Sequence, residues 1–319
     1  MKRMLRGIVL TAVLIFGLPL NAHAARLLVP VGEVIGLQLQ DGTVTVAAFD
    51  DVLGAGAKAA GLRIGDEILN VEGAAVHSAA DVKAALERCA DTAEVTVRRG
   101  GKHHSLRLPA LATAEGRKLG IYLRQGVAGI GTVTWYDPAT NVFGTLGHGV
   151  NCRSGLLQLK EGSAYTARVQ GVVRGKSGDP GQLRGEAGAV CGQLLRNTPQ
   201  GVFGINPSGW PGEPLPVAAF SEIKTGSAHI RSTVGDMGVR EYSVEILKIY
   251  PQDRPDGRHF LLRVTDPALL ETTGGIIQGM SGSPIIQDGK LVGAVTHVLV
   301  NDPTRGYGIF IENMLNAAA

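Results

Sequence analysis

From Leu119 to the C-terminus the sequence is a succession of short strand-like segments broken by Gly, Pro, Asn and Asp. Residues 131–136, 242–247, 260–264 and 291–298 are the clearest of these segments, rich in β-branched and aromatic side chains. None of this half shows the i, i+3, i+4, i+7 apolar spacing over the length that a packed helix requires. Short strands with frequent turns bury their apolar faces by closing or stacking an antiparallel sheet, so the expected architecture is a barrel or sandwich, and a doubly wound parallel fold is excluded. The 45 glycines and the low aromatic content, 5%, suit tight turns in the same way.

The first half, 26–111, reads as a smaller α+β unit. Gln38-Leu39-Gln40 and Val44-Thr45-Val46-Ala47 flank Asp41-Gly42, a hairpin signal. Ser78 with Asp81 predicts a capped helix, and Val82, Ala85, Leu86 and Cys89 fall on one stripe of it. Strands at 94–99 and 105–108 flank Gly100-Gly101. Residues 112–118 read as a linker and 119–319 as the second domain.

Lys2, Arg3 and Arg6 precede an apolar run from Gly7 to Leu20, and Ala22-His23-Ala24 follows with small-x-small spacing. Residues 1–24 are thus expected to be a signal peptide, the run being short for a membrane span. An exported, extracytoplasmic protein follows. Cys89, Cys152 and Cys191 are too few and too far apart to signal a disulfide framework or a zinc site; Cys152 and Cys191 can pair, and buried thiols are the simpler expectation. A formal charge of +3 with dispersed basic residues argues against a nucleic-acid partner. No H-E-x-x-H or similar spacing calls for a metal, and no cofactor is expected.

The chemistry concentrates in Gly279-Met280-Ser281-Gly282-Ser283-Pro284. Acyl transfer needs an exposed hydroxyl on a tight turn whose own amides face the developing oxyanion, and Gly279 and Gly282 permit such a turn. The turn is similar to Gly-Asp-Ser-Gly-Gly-Pro of chymotrypsin-like proteases, with Met280 in the Asp position; by that likeness the amides of Gly279 and Ser281 form the oxyanion hole. A serine hydroxyl needs an adjacent base. His148, in Gly147-His148-Gly149, has flanking glycines that allow another segment to approach, and His297 on the following strand is the alternative. The order His148 then Ser281 is that of the chymotrypsin type. The orienting acid stays open among Asp137, Asp179, Asp236, Asp253, Asp256 and Asp266.

Two resemblances extend this reading. Ala60-Gly61-Leu62-Arg63-Ile64-Gly65-Asp66-Glu67-Ile68-Leu69-Asn70-Val71 resembles the core of PDZ domains, and residues 31–37 resemble their carboxylate-binding loop. That likeness implies peptide binding at Ile35, Gly36 and Leu37, with a peptide C-terminus or the chain's own N-terminal segment as ligand. The stretch from Thr265-Asp266-Pro267 through Ser281 to Gly306-Tyr307-Gly308, together with Gly144-Thr145-Leu146-Gly147-His148-Gly149, resembles the SpoIVB peptidases, sporulation serine proteases. The resemblance implies a PDZ domain followed by a chymotrypsin-like antiparallel β-barrel peptidase, and catalysis by Ser281, His148 and Asp266, with Thr296 in support. It further implies self-processing, a membrane-associated protein substrate whose cleavage leads to sigma-factor activation, and a location in the intermembrane space of the forespore. A non-catalytic PDZ adaptor tethering an extracytoplasmic partner is the competing reading.

Overall fold

The computed structural model describes residues 26–152 and 155–319; the expected signal peptide, 1–24, lies outside them. The alternating patterns do become strands, and these close into two barrels. In the first, the strands Val34–Phe49, Ile121–Asp137, Val142–Thr145, Gly201–Ile205, Gln182–Thr198 and Glu161–Val173 pair in that cyclic order, all antiparallel, and Glu161–Val173 returns to pair with Val34–Phe49. In the second, Gly226–Ser232, Arg240–Ile249, Phe260–Val264, Asp302–Phe310, Lys290–Leu299 and Pro284–Gln287 form a closed barrel. Closure leaves no unpaired edge and removes inward side chains from water, among them Val244, Ile246, Phe260, Leu262 and Val295 in the second barrel.

The first barrel takes in residues that the expected division gives to the PDZ-like unit. Residues 27–39, assigned above to the PDZ-like unit, belong to the first barrel: Val29 and Pro30 pair with Tyr136 and Trp135, and Val34–Leu39 pairs on both sides. The PDZ-like unit is inserted between the two strands of one long hairpin, Val34–Phe49 and Ile121–Asp137, which leaves the barrel, traverses that unit and returns. Asp41-Gly42 is accordingly no hairpin turn. Its flanks pair with a common partner, Leu39 with Val127 and Val44 with Gln125, so it is a bulge within one strand. Gly126 lies opposite with φ +61°, and a Cβ there would stand 1.8 Å from the carbonyl oxygen of Leu39. Only glycine permits the hairpin to bend at that point.

Within the inserted unit the expected helix forms as Ala79–Leu86. The Asp81 amide donates to Ser78 Oγ at 3.1 Å and the Ser78 amide to Asp81 Oδ2 at 2.8 Å, a complete capping box. Val82, Ala85 and Leu86 are buried in a core with Val46, Leu62, Ile68 and Val95. The expected linker is an ordered hairpin of Leu111–Thr113 and Gly116–Lys118. Cys89 and Cys191 are free thiols, half-buried, so the Cys152–Cys191 pairing is not made. Among the described residues no helix is long and apolar enough to cross a membrane.

Candidate active site

The site lies where the two barrels meet. The helix Pro267–Thr273 stops at Gly274, which is left-handed, and the chain then crosses to the first barrel. There the Leu183 amide donates to the Gln278 carbonyl at 2.8 Å. Gly279 and Gly282, with φ +100° and +98°, bound the turn that carries Ser281. Thr132, on the long hairpin, holds this turn from the first barrel. Its amide donates to the Ser281 carbonyl at 2.9 Å and its hydroxyl to the Gly279 carbonyl at 2.8 Å. Thr134 Oγ1 donates to the Gly282 carbonyl at 2.7 Å, and the Gly282 amide to Val295 on the second barrel at 2.7 Å. Met280 is fully buried. An apolar anchor thus stands at the position that resemblance to chymotrypsin-like proteases gives to Asp.

Ser281 is half-buried, and its hydroxyl donates to the carbonyl of Thr296 at 2.7 Å. Thr296 therefore contributes backbone oxygen; its own hydroxyl is buried without a partner. The amides of Gly279 and Ser281 donate to no acceptor among the described residues, although nearly every neighbouring amide in the turn is bonded. Free N–H groups on the turn that carries a serine, one of them the serine's own, are what an oxyanion requires.

His148 follows the strand Val142–Thr145 by three residues. Leu146 and Gly147 both adopt positive φ, +68° and +69°, which turns the chain toward the second barrel. A Cβ on Gly147 would stand 2.8 Å from Thr296 Cγ2, so glycine is what lets this loop touch the strand behind Ser281. His148 Nδ1 lies 3.0 Å from the Gly149 carbonyl. A carbonyl only accepts, which makes Nδ1 the N–H nitrogen and leaves the lone pair on Nε2, the tautomer a general base needs. Burial pushes the His148 imidazole below its ordinary 6.5, with the Gly149 bond opposing. His148, Ser281 and Gly279 line one cavity of about 240 Å³, whose other walls include Leu37, Val127 and Ile130.

The remaining expectations fare differently. Asp266 caps the helix Pro267–Thr273: its Oδ1 accepts from the Leu269 amide at 3.0 Å and its Oδ2 from the Ser243 amide at 3.3 Å. No carboxylate is hydrogen-bonded to His148 among the described residues; Asp266, expected to orient it, is hydrogen-bonded at its own helix terminus. Of the other candidate acids, Asp137 pairs with Arg26 and Asp256 with Arg254. Ile35, Gly36 and Leu37 are also corrected. They sit in a strand hydrogen-bonded on both edges, opposite residues 129–131 and 164–166, and leave no edge for a ligand strand.

The open edge lies elsewhere. Residues 121–123 pair on one side only, with Val46, Ala48 and Phe49. Their other side shares a cavity of about 430 Å³ with Val82 and Leu86 of the helix Ala79–Leu86. Arg117-Lys118-Leu119-Gly120 leads into that strand, and Gly120 has φ +68°. A glycine between large apolar residues directly before a strand is the available signal, and residues 31–37 carry a similar pattern. Among the described residues no group of three or more His, Cys, Asp or Glu is placed to hold a metal ion.

The profile of the SpoIVB peptidase S55 family matches residues 115–315, and that of PDZ domains matches 34–109. No curated protein sequence matches the chain. Among solved structures, the Rv3671c protease from M. tuberculosis in its active form is similar with a TM-score of 0.39 at 18% identity, over 60% of this chain and 73% of that one. Its inactive form gives 0.35 at 17% identity, over 60% and 85%. Likenesses this distant carry no weight beyond their statement.

Proposed function

The chain belongs to the SpoIVB peptidase S55 family and is a serine peptidase, and we propose that Ser281 is its nucleophile and His148 its general base. The observation that carries this assignment is one small cavity holding a half-buried serine, a histidine with its Nε2 lone pair free, and two unbonded amides. For the reaction the Ser281 hydroxyl leaves the Thr296 carbonyl and turns to His148, which lines the same cavity. His148 Nε2 takes the proton as Oγ attacks the substrate carbonyl, the Gly279 and Ser281 amides hold the oxyanion, and the imidazolium then protonates the leaving amine. Water, activated by the same imidazole, releases the acyl group. Labelling of the folded chain by a fluorophosphonate, with the adduct mapped by peptide mass, tests the assignment: the adduct is expected on Ser281, and a labelled peptide without it would refute the reading.

The pH profile follows from His148. Its imidazole is held below 6.5, so the base is free at lower pH than an ordinary histidine would be. The labelling rate is expected to rise with pH and reach half its plateau below 6.5. The same burial makes the fold acid-sensitive. His148, His259 and His297 are all lowered in the folded state, so the unfolded chain binds protons more readily. Their contribution is complete above about pH 6.5 and is lost as the pH falls toward the folded values. A thermal midpoint that rises on acidification from pH 7 to pH 5 would contradict this (about pH 5 to 7 brackets the histidine range).

We further propose that the groove between residues 121–123 and the helix Ala79–Leu86 takes a peptide C-terminus, either of a protein substrate or of a partner. Its lining of Leu53, Val82, Leu86, Leu119 and Ile121 suits an apolar terminal side chain, and the amides at 118–120 suit a carboxylate. A peptide ending in valine is expected to bind when its terminus is free and at least tenfold more weakly as the amide, a loss of about 1.4 kcal/mol or more. Gly120→Val is expected to abolish binding, since a Cβ there meets the Leu53 carbonyl oxygen at 2.3 Å. Fluorescence anisotropy measures both.

The basic start and apolar run of residues 1–24 support export. With the family membership, they favour an extracytoplasmic peptidase that processes itself and then cleaves a membrane-associated regulatory protein leading to sigma-factor activation during sporulation. Intact-mass analysis of the chain and of Ser281→Ala tests the first step: fragments from the wild type alone are expected, and none from either would remove self-processing from the scheme.

A further inference from the structure

We propose that the groove beside Gly120 and the catalytic cavity act on one extended substrate chain, whose C-terminus sits in the groove while its preceding residues add as a strand along the outer edge of Ile121–Asp137; this rests on the assignments of Ser281, His148 and the groove given above. The bond presented to Ser281 then lies about ten residues before the terminus, at one ligand residue per strand residue. Residues 121–131 pair only with Val34–Phe49. Partners on the other side begin at Thr132, whose amide donates to the Ser281 carbonyl and whose carbonyl accepts from the Leu146 amide at 3.4 Å. Backbone groups along an antiparallel strand face alternate sides. Those of Ala128 and Ile130 therefore point the same way as those of Thr132, and there they meet no partner among the described residues. The irregularity at Asp41-Gly42 does not interrupt this edge. Its extra residues bulge from Val34–Phe49, and Ile121–Asp137 passes that point with Gly126 alone.

Cavities follow the edge from end to end. Ile121 and Leu123 line the groove, and residues 124–128 line a larger cavity of about 1100 Å³, with Arg98 of the inserted unit and Leu157 of the first barrel as far walls. Val127 is shared with the next cavity, where it stands with Gly129, Ile130, His148 and Ser281. A Cβ on Gly129 would meet nothing within 4 Å, so the edge is open there too. The direction of the chain agrees at both ends. A carboxylate at 118–120 lies ahead of the strand, so the ligand runs antiparallel and its earlier residues pass 123, 127 and 130 in turn. At the cavity the His148 imidazolium must reach the leaving amine, so the residues after the scissile bond lie beside it, where Val127, Gly129 and Ile130 stand. Those are the residues that lead to the C-terminus. The edge is roughly 35 Å long at about 3.4 Å per residue, and an occupant that covers it brings its own backbone to Ser281, as a substrate does. The chain's own C-terminus is held elsewhere: Met314 of the helix Ile311–Ala318 is fully buried, and Arg196 donates to the Ala319 carbonyl.

The test uses the full chain and a fluorophosphonate carried on the N-terminus of peptides that end in valine, with spacers of about 4, about 10 and about 20 residues. Ser281 Oγ displaces fluoride and forms the Oγ–P bond, so the labelling rate reports arrival at the nucleophile whatever sequence the enzyme prefers to cut. The middle spacer is expected to label about tenfold or more faster as the free acid than as the valine amide, and the short one, which cannot span the two sites, equally fast in both forms. N-methylation of alternate amides in the spacer next to the phosphonate is expected to remove that advantage in one phase and spare it in the other, the mark of a paired strand. Equal rates for acid and amide at the middle length overturn the inference. So does an advantage already present with the short spacer, or one that responds equally to the two phases. Two controls separate these outcomes from failure of the earlier readings. A small fluorophosphonate that does not label Ser281 overturns the nucleophile assignment, and a free-valine peptide without phosphonate that does not bind overturns the groove.

Discussion

Ser281→Ala is expected to reduce peptide hydrolysis by about a million-fold, the loss seen when the nucleophile of a serine peptidase is removed while its binding groups remain. The folded state should hardly notice. The Ser281 hydroxyl makes one hydrogen bond, to the Thr296 carbonyl, in a half-buried position, a net contribution of about 1 kcal/mol. Activity against an unfolded protein substrate and the thermal midpoint, measured on one preparation, separate the two effects. Activity within tenfold of wild type would place the nucleophile elsewhere. Ser283 is not a ready replacement: it is fully buried and its hydroxyl is bonded to Ser232 Oγ at 3.1 Å, with no path to a substrate.

Gly282→Ala is expected to lower both stability and activity, through backbone and not chemistry. Gly282 has φ +98°, and a Cβ would stand 1.9 Å from the Thr132 carbonyl oxygen and 2.6 Å from the Leu146 amide. Neither atom belongs to a flexible side chain. Thr132 is the residue that anchors the nucleophile turn, and Leu146 leads into His148, so relief of the clash moves the base and the nucleophile apart. The left-handed backbone and the forced displacement together cost on the order of 3–5 kcal/mol. Gly289→Ala is the control. Its φ is similarly positive, +73°, but nothing lies within 4 Å of the added methyl, so the cost should be about 1 kcal/mol. Urea midpoints and Ser281 labelling rates report both variants; equal midpoints would mean that the contact with Thr132 relaxes freely.

The groups that meet at this site show which properties were legible along the chain. The Gly279–Pro284 turn and the glycine-flanked His148 could be read because their demands are local. A sharp turn with free amides, and a loop pressed against a neighbour, each require glycine at particular positions whatever the rest of the fold does. The capped helix Ala79–Leu86 was legible for the same reason, since its box and stripe span only a few residues. The serine peptidase family and the β architecture were accordingly within reach.

Pairing between distant strands was not. Residues 31–37 and 117–121 carry the same pattern of glycine among apolar side chains, and the sequence alone could not say which one opens onto a free edge. That depends on Leu37 pairing with both Gly129 and Ala164, contacts made across most of the first half of the chain. The long hairpin that carries the PDZ-like unit as an insertion escaped for the same reason: Asp41-Gly42 has turn chemistry, but its flanks found a common partner in Ile121–Asp137 instead of each other.

The proposed catalytic pair divides along the same line. Residue type and local spacing single out Ser281 and His148 as candidates, with the turn that exposes the one and the glycines that admit the other. What surrounds His148 was decided in three dimensions: Asp266 caps its own helix terminus, and a bulge at Thr296 brings His297 alongside. Neither can be read from spacing, because a one-residue shift in strand register reverses which side chains face the site, and register is set only when the barrel closes.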